Sequence, residues 1–258
     1  LGKTQSALAK NFAKLSSGFR INDASDDAAG LGISKSMNAQ IRSMAVAERN
    51  TNDGISMVQT ADGGAEQIHE ILTRMRELAV QASNGSLGAN DLTNLDTEYQ
   101  ANLAEIDRIS TSTTFNGQNL LSGAAATRDF QVGIGTAATD RITVSFGGAD
   151  ATELGVAGGD VTSFANAQTA ITAIDTAIQT LSTVREGFGS TMNRLQYAVS
   201  NLQSGQTNLS AAMSRIRDVD IAKETAAMSK NQVLSQAGAA ILAQANQTPQ
   251  LAMNLLRG

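Results

Sequence analysis

Apolar residues recur along this chain at intervals of three and four. From Phe164 the series runs through Ala167, Ile171, Ile174, Ile178, Leu181, Arg185, Phe188, Met192, Leu195, Val199, Leu202, Gln206, Leu209, Met213 and Ile216, and fourteen of these sixteen positions are apolar. A repeat of 3.5 held this long keeps one stripe facing a partner helix, so it predicts a coiled-coil rod of about 80 Å. Gly187, Gly189 and Gly205 weaken that helix locally, by up to about 1 kcal/mol each. A second rod is predicted over Ile33–Ser83, on Met37, Ile41, Met44, Thr51, Ile55, Val58, Ala65, Ile68, Leu72, Met75 and Ala79. Asn84-Gly85 stops it, and Leu92, Leu95, Tyr99, Leu103, Ile106 and Ile109 predict a third helix running back. Each buried Leu, Ile or Met contributes roughly 1.5–3 kcal/mol, so three such rods can cover one another without an aromatic core.

Between residues 111 and 163 the period changes. Phe130/Val132/Ile134 and Ile142/Val144/Phe146 alternate on either side of Thr136–Asp140, which predicts a β-hairpin at about 128–147 with one face on the helices. Two amphipathic stretches occupy the ends. Leu1, Leu8, Phe12, Leu15 and Phe19 mark the front; Val233, Ala237, Ile241, Ala245, Leu251 and Leu255 mark the back. Their stripes can cover each other or meet other chains, so the ends are expected to pair. From Asn231 to Leu256 the tail is almost free of charge, a surface suited to burial in an assembly. The predicted class is mostly α: a long antiparallel helical hairpin and coiled-coil bundle with a small β-hairpin.

Composition narrows the chemistry. The 258 residues include no cysteine or tryptophan, one histidine and one proline, which excludes disulfides, thiolate metal sites and a His-pair zinc site. The net charge of −5 offers no basic field for nucleic acid. No apolar run approaches the roughly 18 residues of a membrane helix, and no signal peptide is visible, so membrane insertion is not expected. The chain opens on Leu1 rather than Met, as a chain that has lost its beginning would. Gly133-Ile-Gly135-Thr-Ala-Ala138 imitates a dinucleotide-binding turn, but a strand rather than a helix follows it. Asp23, Asp26 and Asp27 lack calcium-loop spacing and fit the start of a helix. His69 lies between Glu66 and Glu70 on a helix with no paired nucleophile. Neither an enzyme nor a cofactor is expected.

Several long strings then point to a family. LSSGFRINDASDDAAGLGIS (Leu15–Ser34), RNTNDGISMVQTADGG (Arg49–Gly64), MRELAVQASNG (Met75–Gly85), EIDRIS (Glu105–Ser110), FNGQNLL (Phe115–Leu121), SRIRDVDIAKE (Ser214–Glu224) and QAGAAILAQANQTPQLAMNLLR (Gln236–Arg257) closely resemble bacterial flagellin. Family members normally begin with a further short helical stretch, ahead of the position at which this sequence opens. The resemblance implies an inner coiled coil, D0, at residues 1–28 and 218–258, and a rod domain, D1, at 29–217 that contains the hairpin. The short segment between Gly123 and Phe164 implies a minimal D0–D1 flagellin without outer domains. The implied role is structural: copies polymerise into the helical filament of the flagellum, secreted by the flagellar type III route to the cell exterior. Implied partners are other copies, junction and cap proteins and an export chaperone.

The D0 self-assembly stripe would comprise Leu8, Phe12, Leu15, Val233, Ile241, Leu251 and Leu255. Flagellins are also ligands of an animal Toll-like receptor, and the positions matching that patch are Arg74, Leu78, Gln81 and Glu98. Asn102 stands where receptor-active members often carry a base. The same residues read equally as inter-subunit packing and solvated ion pairs. Two alternatives are a hook–filament junction protein, which would not grow on filament seeds, and a chemoreceptor hairpin, which the β-hairpin does not fit.

Overall fold

The computed structural model describes the backbone of residues 2–257 and side chains through residue 245. Five helices and four short strands follow in order: α1 (Gly2–Ser17), α2 (Ala28–Ala82), α3 (Ala89–Ser112), β1 (Thr114–Phe115), β2 (Gln118–Asn119), β3 (Ala126–Gln131), β4 (Arg141–Phe146), α4 (Phe164–Arg217) and α5 (Ile221–Arg257). The three predicted rods are α2, α3 and α4, present within a few residues of their expected limits. The chain divides into two compact units, Ser43–Ser204 and a unit of the termini, Leu1–Arg42 with Gly205–Gly258. These divides fall inside α2 and α4. The expected limits at 28/29 and 217/218 fall instead beside breaks between helices.

In the central unit the three-four series of α2 is buried: Val58, Ala61, Ala65, Ile68, Leu72, Met75, Ala79 and Ala82. From α3, Tyr99, Leu103 and Ile106 join the same core, and from α4 Ala167, Ala170, Ile174, Ala177, Leu181, Phe188 and Leu195. Alanines alternate with Leu and Ile along the seams, which lets the helices approach closely with few aromatic rings. Phe188 meets Phe146 of β4 with ring centroids 5.8 Å apart. Phe164, the first residue of the expected seam, is 55% exposed. Arg185, its first polar member, is half-buried and bonded to Asp62 of α2 at 2.9 Å and to Glu66 at 3.1 Å.

The hairpin is real, but its first strand starts and ends earlier than the alternation predicted. β3 pairs antiparallel with β4 in the register Phe130↔Ile142 and Gln131↔Arg141, so Val132 and Ile134 lie in the connecting loop. The cause is Asp140. Its carbonyl accepts the N–H groups of Val132 and Gly133. Its carboxylate fills the space that a side chain at residue 133 or 135 would need. Only β4 shows clean alternation, with Ile142, Val144 and Phe146 buried and Arg141, Thr143 and Ser145 exposed.

A second, unexpected hairpin joins β1 to β2. Asn116 (φ 48°) and Gly117 (φ 74°) both occupy the left-handed region, the signature of a type I′ turn, which Asn-Gly favours.

In the unit of the termini, α1 ends at Gly18, whose φ of 75° caps the helix through an N–H bond to Lys14 O. The next residues form a one-rung bridge, Phe19↔Asp218. Val219 N–H donates to Gly18 O, Arg20 N–H donates to Arg217 O, and the Arg217 guanidinium lies 3.9 Å above the Phe19 ring. Asp27 starts α2, its carboxylate accepting Gly30 N–H at 2.8 Å, while Asp26 accepts from Asn22 and Asp23. Those backbone bonds hold the Asp26 carboxyl below its ordinary range.

Candidate functional site

The two end helices α1 and α5 pack against each other. On α5 the half-buried positions from Glu224 onward are Ala227, Met228, Asn231, Ser235 and Gly238, a three-four series made mostly of small or polar residues. Asn11 is the buried residue of α1. Met228 apart, the larger apolar side chains described on α5 stay outside this seam. Val233 is 63% exposed, Ile241 68%, Leu234 50%, Leu242 49% and, on α1, Phe12 59%. Of the expected self-assembly stripe, Leu8 and Leu15 are half-buried, while Phe12, Val233 and Ile241 face solvent. Leu251 and Leu255 lie outside the residues whose side chains are described. Among the described residues, Phe12, Val233, Leu234, Ile241 and Leu242 keep apolar surface outside the α1–α5 seam, while Leu8, Leu15 and Met228 lend part of theirs to it.

The second candidate surface lies on α2 and α3 of the central unit. Arg74 donates to Glu98 across the two helices from Nε at 3.0 Å and Nη2 at 2.7 Å, and to Glu77 from Nη1 at 3.0 Å. These carboxylates raise the Arg74 pKa above its ordinary value, the Glu98 bonds acting most strongly. Arg76 bonds Asp175 of α4 at 2.6 Å, which likewise raises its own pKa and lowers that of Asp175. Gln81 is exposed. Leu78 corrects the expectation: at 1% exposure it belongs to the helical core and offers nothing to a surface partner. Its place in the three-four series with Met75 and Ala82 explains this. Asn102 is half-buried, and its amide nitrogen has no hydrogen-bond partner.

The remaining motifs resolve structurally. Gly133 and Gly135 wrap Asp140 and lead, through a 3-10 turn at Ala138–Asp140, into β4. His69 is half-buried on α2. Among the described residues no group of three or more His, Asp or Glu is placed to hold a metal, and no helix is long and apolar enough to cross a membrane. An open groove of about 750 Å³ lies between the hairpin loop and α4, beside Ile134, Tyr197 and Leu202. Tyr99 is fully buried with an unpartnered hydroxyl. Its pKa is pushed up to about 12, by burial first and then by Asp96 and Asp160.

Long helices with thin, regular seams, joined to an end pair that leaves Phe12, Val233, Leu234, Ile241 and Leu242 exposed, define a structural protein that associates with its own kind. The profile of the bacterial flagellin N-terminal helical region matches residues 1–126, and that of the bacterial flagellin C-terminal helical region matches residues 171–256. A flagellin from Halalkalibacterium halodurans is 46% identical over 248 residues, covering 96% of this chain and 91% of the relative. The crystal structure of Bacillus cereus flagellin superposes with a TM-score of 0.52 at 37% identity, over 64% of this chain and 94% of that one. A candidate flagellar hook-associated protein from Vibrio parahaemolyticus shares the fold alone, with a TM-score of 0.62 at 16% identity over 75% of this chain and all of that one. The chain belongs to the bacterial flagellin family and is a structural subunit of the flagellar filament. The junction-protein alternative is not favoured.

Proposed function

We propose that the outward apolar face of α1 and α5 is the surface by which copies of this chain join, and that these helices form D0 while α2, α3, the hairpins and α4 form D1. The observation that carries this is the division of α5 into a seam of small and polar residues toward α1 and an exposed set of Val233, Leu234, Ile241 and Leu242. Single exposed apolar residues are ordinary, but Leu234 and Ile241, seven positions apart, share one face of α5 with Val233 and Leu242 flanking it on either side, and an apolar surface of this kind favours burial against a partner. Contacts between different surfaces of like subunits do not close on themselves, and so generate an open helical polymer. Before polymerisation the same patch needs cover, which fits an export chaperone. After secretion by the type III route, growth at the filament tip fits capture beneath a cap protein. Deletion of residues 240–258 is the test: the central unit is expected to stay folded by circular dichroism while growth from filament fragments stops. Normal-length filaments from this deletion would falsify the assignment.

A second reading concerns the Toll-like receptor patch, and the exposed Arg74–Glu98 pair supports it. The patch now comprises Arg74, Gln81 and Glu98, without Leu78. Its test is activation of receptor-bearing cells by free subunits at nanomolar dose. Arg74→Ala is expected to weaken the response, and silence from the unaltered protein removes the reading.

A further inference from the structure

Charge is divided unevenly between the two compact units. The unit of the termini holds eleven Lys and Arg against six Asp and Glu, a net +5, and the central unit holds eight against eighteen, a net −10. Within the terminal unit α1 carries Lys3, Lys10 and Lys14 and no acid. Their spacing of seven and four places all three on one helix face. On α5 the series Lys223, Lys230, Leu234 and Ile241 advances by seven, four and seven, so it too forms one face, and all four residues are exposed. That face is cationic over its first turns and apolar over the next ones.

Self-association accounts for Leu234 and Ile241 but not for the lysines. Where the end helices of two copies meet, the same positive charges come together, so in that contact the lysines oppose the approach that the apolar residues favour. An anionic bilayer reverses that sign: its headgroups attract the lysines, and the acyl boundary beneath receives Leu234 and Ile241. Helices with basic and apolar positions of this kind lie in the plane of a bilayer surface without spanning it. We infer that the free subunit adsorbs to anionic lipid bilayers through the exposed face of α1 and α5, and that polymerisation withdraws the apolar part of that face.

The test is co-sedimentation of full-length, unpolymerised protein with phosphatidylcholine vesicles, with and without phosphatidylglycerol; a vesicle-free tube reports any polymer. Binding is expected only with phosphatidylglycerol, and is expected to fall at least about tenfold when the salt concentration shortens the Debye length to a few ångströms. Replacing Lys3, Lys10, Lys223 and Lys230 with Glu should abolish vesicle binding, whereas seeded filaments should still grow, because charge of one sign still meets charge of the same sign between end helices while Leu234 and Ile241 are kept. Leu234→Ser with Ile241→Ser should lose both. A control carrying Arg128→Glu and Arg194→Glu, in the central unit, should bind vesicles as the unaltered protein does. The inference is overturned by equal binding to neutral vesicles, by no binding to either composition, by insensitivity to the four Lys→Glu changes, or by an equal loss in the control. Failure here with normal seeded growth leaves the polymerisation reading standing, because only the lysine variant separates the two.

Discussion

Tyr99 and two adjacent glycines show how much single positions decide in a core this thin. The Tyr99 ring fills the α3 side of the core, yet its hydroxyl is buried without a partner. An unsatisfied buried donor costs on the order of 1–3 kcal/mol, so Tyr99→Phe is expected to stabilise the protein, by about 1 kcal/mol. Its pH signature is distinct. The ordinary value of 10.0 applies to the unfolded chain and about 12 to the folded one, so the neutral phenol is favoured by folding. That contribution is complete below pH 10 and is lost as pH rises toward 12. Urea denaturation across this range should show stability falling in the parent and a flatter profile in Tyr99→Phe. Coincident profiles would contradict the assignment. Gly63 and Gly64 should respond in opposite directions to alanine. Both lie inside α2, where alanine is favoured over glycine by up to about 1 kcal/mol. A Cβ at Gly63 meets nothing within 4 Å, so Gly63→Ala should raise the denaturation midpoint. At Gly64 it would lie 2.5 Å from Thr113 Oγ1 and 2.8 Å from Leu121 Cδ1. Overpacking of this kind costs roughly 1–3 kcal/mol, so Gly64→Ala should lower the midpoint despite its better helix propensity.

Between elements, ion pairs add registration to seams built from small side chains. Arg185 lies on the α4 seam and reaches Asp62 and Glu66 of α2, with its own side chain and that of Asp62 each 28% exposed. A double-mutant cycle of Arg185→Ala and Asp62→Ala should give a coupling of about 0.5–1 kcal/mol, the upper end for pairs that keep some solvent contact. Arg76–Asp175 is far more exposed, and its coupling should vanish in high salt. A negligible Arg185–Asp62 coupling at low salt would show that packing alone aligns α2 with α4. The helices themselves were legible because a 3.5-residue repeat and the Asn84-Gly85 stop are local signals. The limits of β3 were not, because they depend on Asp140 reaching back to Val132 and Gly133. The β1–β2 hairpin was missed: Asn116-Gly117 carries a turn signal, but its two-residue strands are too short to show the alternation that would have marked them. Leu78 was misplaced for a related reason: a matching string tells which residues recur, whereas burial depends on the phase of the helix, and that phase points Leu78 inward.

At the scale of the whole molecule, stability and assembly draw on different apolar residues, and this separation can be measured. The central core uses residues at or near zero exposure, whereas Leu234 and Ile241 are 50% and 68% exposed in the free chain. Replacing both with serine should therefore leave the helical content and the denaturation midpoint of the monomer nearly unchanged. Assembly should respond much more strongly. If each side chain becomes fully buried in the polymer, its loss removes roughly 1.5–3 kcal/mol of subunit affinity. Each 1.4 kcal/mol corresponds to about a tenfold change in an equilibrium constant. The critical concentration for seeded growth, read by sedimentation, should thus rise at least about tenfold for each replacement and more for the pair. As a comparison, Ala227→Ser and Ser235→Ala each change the α1-facing seam by one hydroxyl and leave the outer face intact, so they should shift the critical concentration far less. Equal effects from the two pairs would mean that the end helices join copies by exchanging their seams rather than by burying the face turned away from it.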